Sequence, residues 1–230
     1  QSIHNVYPGS TPICDEPSVV PTCSPSTAAP TVVPTCNNNI SPEERQALQD
    51  LYDSTDGPNW YNYYGYGIPW DFSHSIANPC VEGWYGVSCS PDYHVVGLYL
   101  YYNNLIGTIP STIGQLSSLD SLHLNGNRLY GTIPSTIDQL FFLQGLYLYR
   151  NQLIGTIPST FGQLSFLFDL ILYGNQLIGT IPSTFGQLSS LNYLYLNDNR
   201  LNGTIPSTIG QLPYLHPVSY THLRAHETLM

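Results

Sequence analysis

The chain has 230 residues, of which only 9% are charged, against about 25% in a typical soluble protein. Lysine is absent and the formal net charge is −10, which argues against a nucleic-acid surface because phosphate binding needs clustered Lys and Arg. No apolar run approaches the roughly 20 residues of a membrane span, and the length leaves room for one or two domains.

Residues 1–40 are rich in Pro, Ser, Thr and Val, and PSVVPTC at 17–23 returns as PTVVPTC at 30–36. Such a tract buries too little apolar surface to offset its ordering entropy, so an extended, polyproline-like arm is expected. Ser18, Thr22, Ser24, Ser26, Thr27, Thr31 and Thr35 among these prolines form a candidate O-glycosylation tract, the alternative being a plain linker. Cys14, Cys23 and Cys36 lie in the arm, and five cysteines in all leave one without an intramolecular partner. Intrachain or interchain bridges are both open to them. Paired cysteines, an acidic chain and the sequons Asn39-Ile-Ser and Asn202-Gly-Thr favour an extracellular, glycosylated protein, Pro42 making Asn39 the poorer acceptor. The opening Gln1 fits a processed secretory product.

A second segment, 41–94, begins with Ser41-Pro42-Glu43-Glu44, a capping box with Pro at the first helical position. Ala47, Leu48, Leu51 and Tyr52 then share one helical face, and Asp56-Gly57-Pro58 ends the helix. An aromatic-dense stretch follows, with Trp60, Tyr61, Tyr63, Tyr64, Tyr66 and Trp70. Cys80 and Cys89 enclose a short loop with Trp84 available to pack on their bridge. A disulfide is expected there and a zinc site is not, since no His or second Cys pair stands at ligand spacing.

From Val95 a strict period takes over. Asn103, Asn127, Asn151, Asn175 and Asn199 are 24 residues apart, and GTIPST begins at Gly107, Gly131, Gly155, Gly179 and Gly203. Each unit reads L-x-x-L-x-L-x-x-N-x-L-x-G-x-I-P. Alternating Leu on a short strand would point inward, and Asn in a buried bend would satisfy backbone groups of adjacent turns. One coil cannot bury its own apolar face, whereas stacked coils bury each other's.

This pattern resembles the plant-type leucine-rich repeat family, whose mark is the GxIP segment. ERQALQDLYDSTDGPNW and WYGVSC resemble that family's N-terminal cap. The resemblance covers 41–214 and implies an α/β repeat solenoid, a curved horseshoe with a concave parallel sheet. The segments are then the arm at 1–40, a helical disulfide-bonded cap at 41–94, five repeats at 95–214 and a degenerate tail at 215–230. In the tail Leu223 stands where Asn is due, and PVSYTHLRAHETLM resembles an adapter-derived reading frame, so it is set aside as non-native. With no cap after the last repeat, apolar groups at Leu201, Ile205 and Leu212 are expected to face water and to favour head-to-tail self-association or fibres.

Catalysis finds no support: the seven His are scattered, and no nucleophile elbow, zincin motif or phosphate loop is present. No catalytic residue, metal or cofactor is expected. The outward strand positions are more telling. Between the inward Leu stand Tyr99, His123, Tyr147, Ile171 and Tyr195, and two residues on come Tyr101, Asn125, Tyr149, Tyr173 and Asn197. They predict two aromatic ladders on the concave face, fit either to bind a protein or glycan or to brace the sheet. A flank strip of Ile106, Tyr130, Ile154 and Ile178 is expected to face outward, as a contact surface or under neighbouring loops. The uniform GTIPST surface suits a lattice, wall or fibre. The sequence therefore reads as a secreted, non-enzymatic structural or adhesive protein. The alternative is a receptor ectodomain or a secreted inhibitor of a glycan-degrading enzyme.

Overall fold

The computed structural model describes residues 40–62, 65–74 and 77–216. The arm, with Cys14, Cys23, Cys36, Asn39 and the O-glycosylation tract, lies outside the described residues, as does the tail from 217.

Helix α1 spans Pro42–Ser54. The Ser41 hydroxyl accepts from the Glu44 N–H and Glu44 Oε2 accepts from the Ser41 N–H, both at 3.1 Å. Ala47, Leu48 and Leu51 are buried and Tyr52 packs partly against the core. Asp56 enters the left-handed region at φ 62° and stops the helix. The aromatic stretch closes the cap: Trp60 and Trp70 rings meet at 4.9 Å, and Trp84 lies 5.6 Å from Trp70 and 4.8 Å from Phe72. Helix α2 (Pro79–Glu82) and strand β1 (Val87–Cys89) are joined by the Cys80–Cys89 disulfide.

The repeats supply β2 (Val95–Tyr99), β3 (Ile106–Gly107), β4 (Ser121–His123), β5 (Arg128–Thr132), β6 (Gly145–Tyr147), β7 (Gln152–Ile154), β8 (Asp169–Ile171), β9 (Ile178–Gly179), β10 (Tyr193–Tyr195) and β11 (Arg200–Leu201). The concave sheet has the order β1-β2-β4-β6-β8-β10, antiparallel only between β1 and β2. Register advances by one coil each time: Leu98, Leu122, Leu146, Leu170 and Leu194 are successive partners. The short strands β3, β5, β7, β9 and β11 pair on the flank, and each Ile-Pro step leads into a 3-10 turn such as Ser159–Gln163. This is the expected solenoid.

Inside a coil, Leu98, Leu100, Leu105, Ile113, Leu116 and Leu119 are wholly shielded from water. The periodic Asn does the polar work. Asn151 Oδ1 accepts from the Leu129 N–H at 3.0 Å, and its Nδ2 donates to Leu124 O at 2.9 Å and Leu148 O at 3.0 Å. Asn127, Asn175 and Asn199 bond in the same way. Three buried backbone groups on neighbouring coils thus find partners in one side chain.

The repeated GTIPST is also explained by coil-on-coil packing. A Cβ on Gly131, Gly155, Gly179 or Gly203 would come within 2.9–3.1 Å of the Thr methyl of the preceding coil. Thr136, Thr184 and Thr208 hydroxyls donate to Ser111, Ser159 and Ser183 carbonyls at 2.6, 2.6 and 3.0 Å. The Thr160 hydroxyl departs from this pattern and is buried without a partner. At the other end, the buried Glu44 carboxylate accepts from the Val95 N–H at 3.0 Å and approaches His94 Nδ1 at 3.3 Å, tying the cap to the first coil. In the last described coil Leu201 is buried, contrary to expectation, because β11 pairs with β9; Ile205 is exposed and Leu212 half-buried.

Two predictions test these contacts. Asn151→Ala strands one N–H and two carbonyls, so chemical denaturation should register a loss of about 2–4 kcal/mol; an unchanged unfolding midpoint would refute the bridging role. Reducing the Cys80–Cys89 bridge should cost about 2–4 kcal/mol, and non-reducing peptide mapping that recovers both as free thiols would contradict the pairing.

Candidate functional site

The concave sheet presents three outward rows. Register aligns Gly97, Ser121, Gly145, Asp169 and Tyr193 in the first, and Tyr99, His123, Tyr147, Ile171 and Tyr195 in the second. Tyr101, Asn125, Tyr149, Tyr173 and Asn197 follow just past the strands.

Glycine in the first row decides how the second lies. A Cβ on Gly97 would sit 2.6 Å from Tyr99 Cε2, and one on Gly145 would sit 2.7 Å from Tyr147 Cε2, so both rings lean back over those glycines. Gly145 is the sheet partner of Asp169. The lean therefore delivers the Tyr147 hydroxyl to Asp169, where it donates to Oδ2. His123 is held between Tyr99, 4.9 Å away, and Tyr147, stacked at 4.1 Å. Burial between these rings pulls the imidazole pKa down to about 4, against the opposing pull of Asp120. Burial, then the bond and charge of Asp169, push the Tyr147 phenol up. Burial likewise raises the Asp169 carboxyl, and the Tyr147 hydrogen bond opposes it.

The third row is broken. Tyr149 and Tyr173 stack at 4.6 Å, with the Arg150 guanidinium 5.8 Å from the Tyr173 ring. Asn125, expected on the surface, is only 3% exposed. The Tyr102 ring lies over Gly126, and its hydroxyl bonds with Tyr149 and Arg150 one coil further on, which roofs the coil of Asn125. Asn125 therefore does not belong to a binding face. Ile171 is likewise buried between Tyr147 and Tyr195 in the second row. Asn197 is half-buried and donates to Asp198 Oδ2 at 2.8 Å.

On the flank, Tyr130, Ile154 and Ile178 are about half exposed. Ile106 is not, because the end of α1 covers it: its N–H donates to Thr55 O at 3.1 Å, and the adjoining Thr108 N–H donates to Ser54 O. Asn202 is exposed at the far end of the strip. The sequence reading places Asp120, Asp169 and Asp198 at outward strand positions with no second carboxylate at matched spacing, but it missed Tyr102, the first outward row as a row, and a cluster of exposed rings at its edge. Phe141, Phe142, Phe166 and Phe168 range from 42% to 59% exposed, with Phe142 on Phe166 at 6.2 Å and Phe168 on Tyr193 at 5.9 Å. The signal available was substitution: these Phe stand where other coils carry Ser117, Ser118 and Asp120. Among the described residues no group of three His, Cys, Asp or Glu could hold a metal ion, and no helix is long and apolar enough to cross a membrane.

The model of the Leucine Rich Repeat family matches residues 94–116, 118–140, 142–164, 166–188 and 190–212. The chain belongs to the leucine-rich repeat family. Its GxIP form is plant-type, and its relatives agree. A probable leucine-rich repeat receptor-like protein kinase of Arabidopsis thaliana is 35% identical over 80 residues, which is 34% of this chain and 8% of that protein. The chain thus spans a small part of that relative. The structure of the BIR3–SERK2 complex from Arabidopsis thaliana is 38% identical, covering 72% of this chain and 86% of the matched one, with a TM-score of 0.63. The leucine-rich repeat ectodomain of the Arabidopsis thaliana receptor kinase SOBIR1 is 28% identical, covering 78% and 92%, with a TM-score of 0.64.

The His123 stack gives a pH prediction for this repeat protein. The folded imidazole titrates near 4 and the unfolded one near 6.5, so between those values the unfolded chain binds more protons. Stability from this group is present above 6.5 and is lost as pH falls through the window. NMR titration of the His123 ring should give a midpoint near 4; a midpoint near 6.5 would mean the stack is open to water.

Proposed function

We propose that this chain is the ligand-binding part of a receptor-like extracellular protein, non-enzymatic, and that its concave sheet takes a protein or peptide. The observation that carries the reading is the contrast between faces. The flank hardly changes from coil to coil, and the Thr–Gly and Thr–Ser contacts described above account for the Gly and the inner Thr of that phrase by packing. A packing reason for part of the uniform GTIPST phrase weakens the inference from it to a lattice or fibre. The concave rows are under no such demand, and they vary among Tyr, His, Ile, Asn and Asp along the sheet, although the first and third coils share Gly-x-Tyr-x-Tyr. Tyr offers large contact area with a hydroxyl and little rotamer entropy to lose. Likeness to a receptor-like kinase and to a receptor-kinase ectodomain supports the same reading.

Secretion and N-glycosylation at the exposed Asn202 belong to this proposal. Self-association through the arm cysteines rests on residues outside those described and remains a separate proposal, decided by light scattering under non-reducing conditions.

The test is a binding screen against arrayed extracellular proteins and peptides, repeated with the double change Tyr147→Ala and Tyr149→Ala. Partners should bind about tenfold more weakly or worse, while loss of the ring pairs costs the fold only about 1–2 kcal/mol. Undiminished binding to every partner found would leave the rings as braces of the sheet.

A further inference from the structure

We propose that Asp169, with Asn192 of the next coil and the rings of Phe168 and Tyr193, forms a subsite for a basic side chain, Arg or Lys, of the bound protein or peptide. This rests on the concave-face reading and adds to it the chemistry of the ligand.

Asp169 is the only carboxylate in the three outward rows. Its Oδ2 receives the Tyr147 hydroxyl, but its Oδ1 is shielded from water and has no hydrogen-bond partner. Asn192 Oδ1 is in the same condition. The two residues stand on adjacent coils of the sheet. Asn192 and Tyr193 N–H groups both donate to Phe168 O, at 2.9 and 3.1 Å, and Tyr193 is the register partner of Asp169. Two neighbouring acceptors with no donor are costly to leave, since each forfeits its hydration without compensation.

Among the described residues no cationic side chain is paired with Asp169, and the imidazole beside the site, His216, stacks on Tyr193 at 5.1 Å rather than on the carboxylate. The ion pairs among the described residues are His74–Asp71 and His94–Glu44, both in the cap region. His123 is held neutral between its tyrosines. A ligand group that satisfies the pair must bring N–H or O–H donors, and opposite a carboxylate a charged donor, guanidinium or ammonium, makes the stronger bond. A metal ion fits poorly, because no three His, Cys, Asp or Glu side chains gather there among the described residues.

The rings fit the same occupant. Phe168 and Tyr193 meet edge to face at 5.9 Å and are 42% and 37% exposed; Tyr193 is also stacked on His216 at 5.1 Å, so Phe168 is the ring that would turn aside to admit a side chain. A basic side chain would then lay its methylenes on these rings, and a cation over a ring face gains further attraction. Phe166, itself exposed and stacked on Phe142, extends an apolar surface for flanking ligand residues.

The experiment pans a displayed library of random dodecapeptides on the intact chain. Selected peptides are rescreened on Asp169→Asn and on the Tyr147→Ala, Tyr149→Ala double variant, each checked for an unchanged circular dichroism spectrum. Peptides that depend on Tyr147 and Tyr149 should be enriched in Arg or Lys. Replacing that residue with citrulline or norleucine should weaken binding to the unaltered protein by about tenfold or more, and hardly at all to Asp169→Asn. The ligand-side change needs no protein variant to fold. Tyrosine-dependent peptides without basic enrichment, or indifferent to Asp169→Asn, overturn the subsite while leaving the concave-face reading in place. Selected peptides indifferent to Tyr147 and Tyr149 overturn both.

Discussion

The side-chain amide of the Asn that recurs every 24 residues holds this molecule in register. Strands β4, β6, β8 and β10 have three residues each, too few for an isolated pairing to persist in water. Asn175 shows what is added. It accepts from Leu153 N–H in the coil before, donates to Leu148 O in that coil and donates to Leu172 O in its own. A slip of one residue would break these bonds and turn every inward Leu outward. Because the bends cannot slip, the outward rows keep fixed neighbours, and a binding face can be built on such short strands.

The flank and the concave sheet belong to the same coils but answer to different constraints. On the flank each Gly must leave room for the preceding Thr, and most of the inner Thr hydroxyls bond a Ser carbonyl one coil back. These demands recur wherever one coil meets the next, so the phrase recurs too. On the concave side the strands bond edge to edge and the side chains stand clear of that pairing. Variation is tolerated there and, where it places Asp169 beside Tyr147, it creates chemistry found on no other coil.

The fold was legible because it follows from a period. Inward Leu, the Asn bend, the capping box and the cysteine loop each need only local spacing to be recognised, and each stands where spacing put it. What spacing does not reveal is reach. Asn125 is buried because Tyr102, with its backbone at φ 54°, throws its ring across Gly126. Ile106 is half covered because α1, some fifty residues earlier, ends against it. The Glu44 carboxylate was readable as a helix cap, but its second bond, to Val95 N–H across 51 residues, was not. The first outward row was passed over since Gly97, Ser121 and Gly145 look inert; their smallness is what lets the tyrosines lean.

That lean has an electrostatic consequence. With Tyr99 and Tyr147 folded over the sheet, His123 is enclosed and stays uncharged through the range where a free imidazole would gain a proton. His123 thereby brings no positive charge toward Asp169, whose carboxyl is partly desolvated and accepts from the neutral Tyr147 phenol. A structure optimised for stability alone would put Ser or Gly there, as the two preceding coils do at Ser121 and Gly145. Local departures from the packing rules concentrate where a surface is used rather than merely held. Asp169 is such a departure, a carboxylate with exposed aromatic side chains beside it on a sheet that elsewhere carries neutral side chains in the same row.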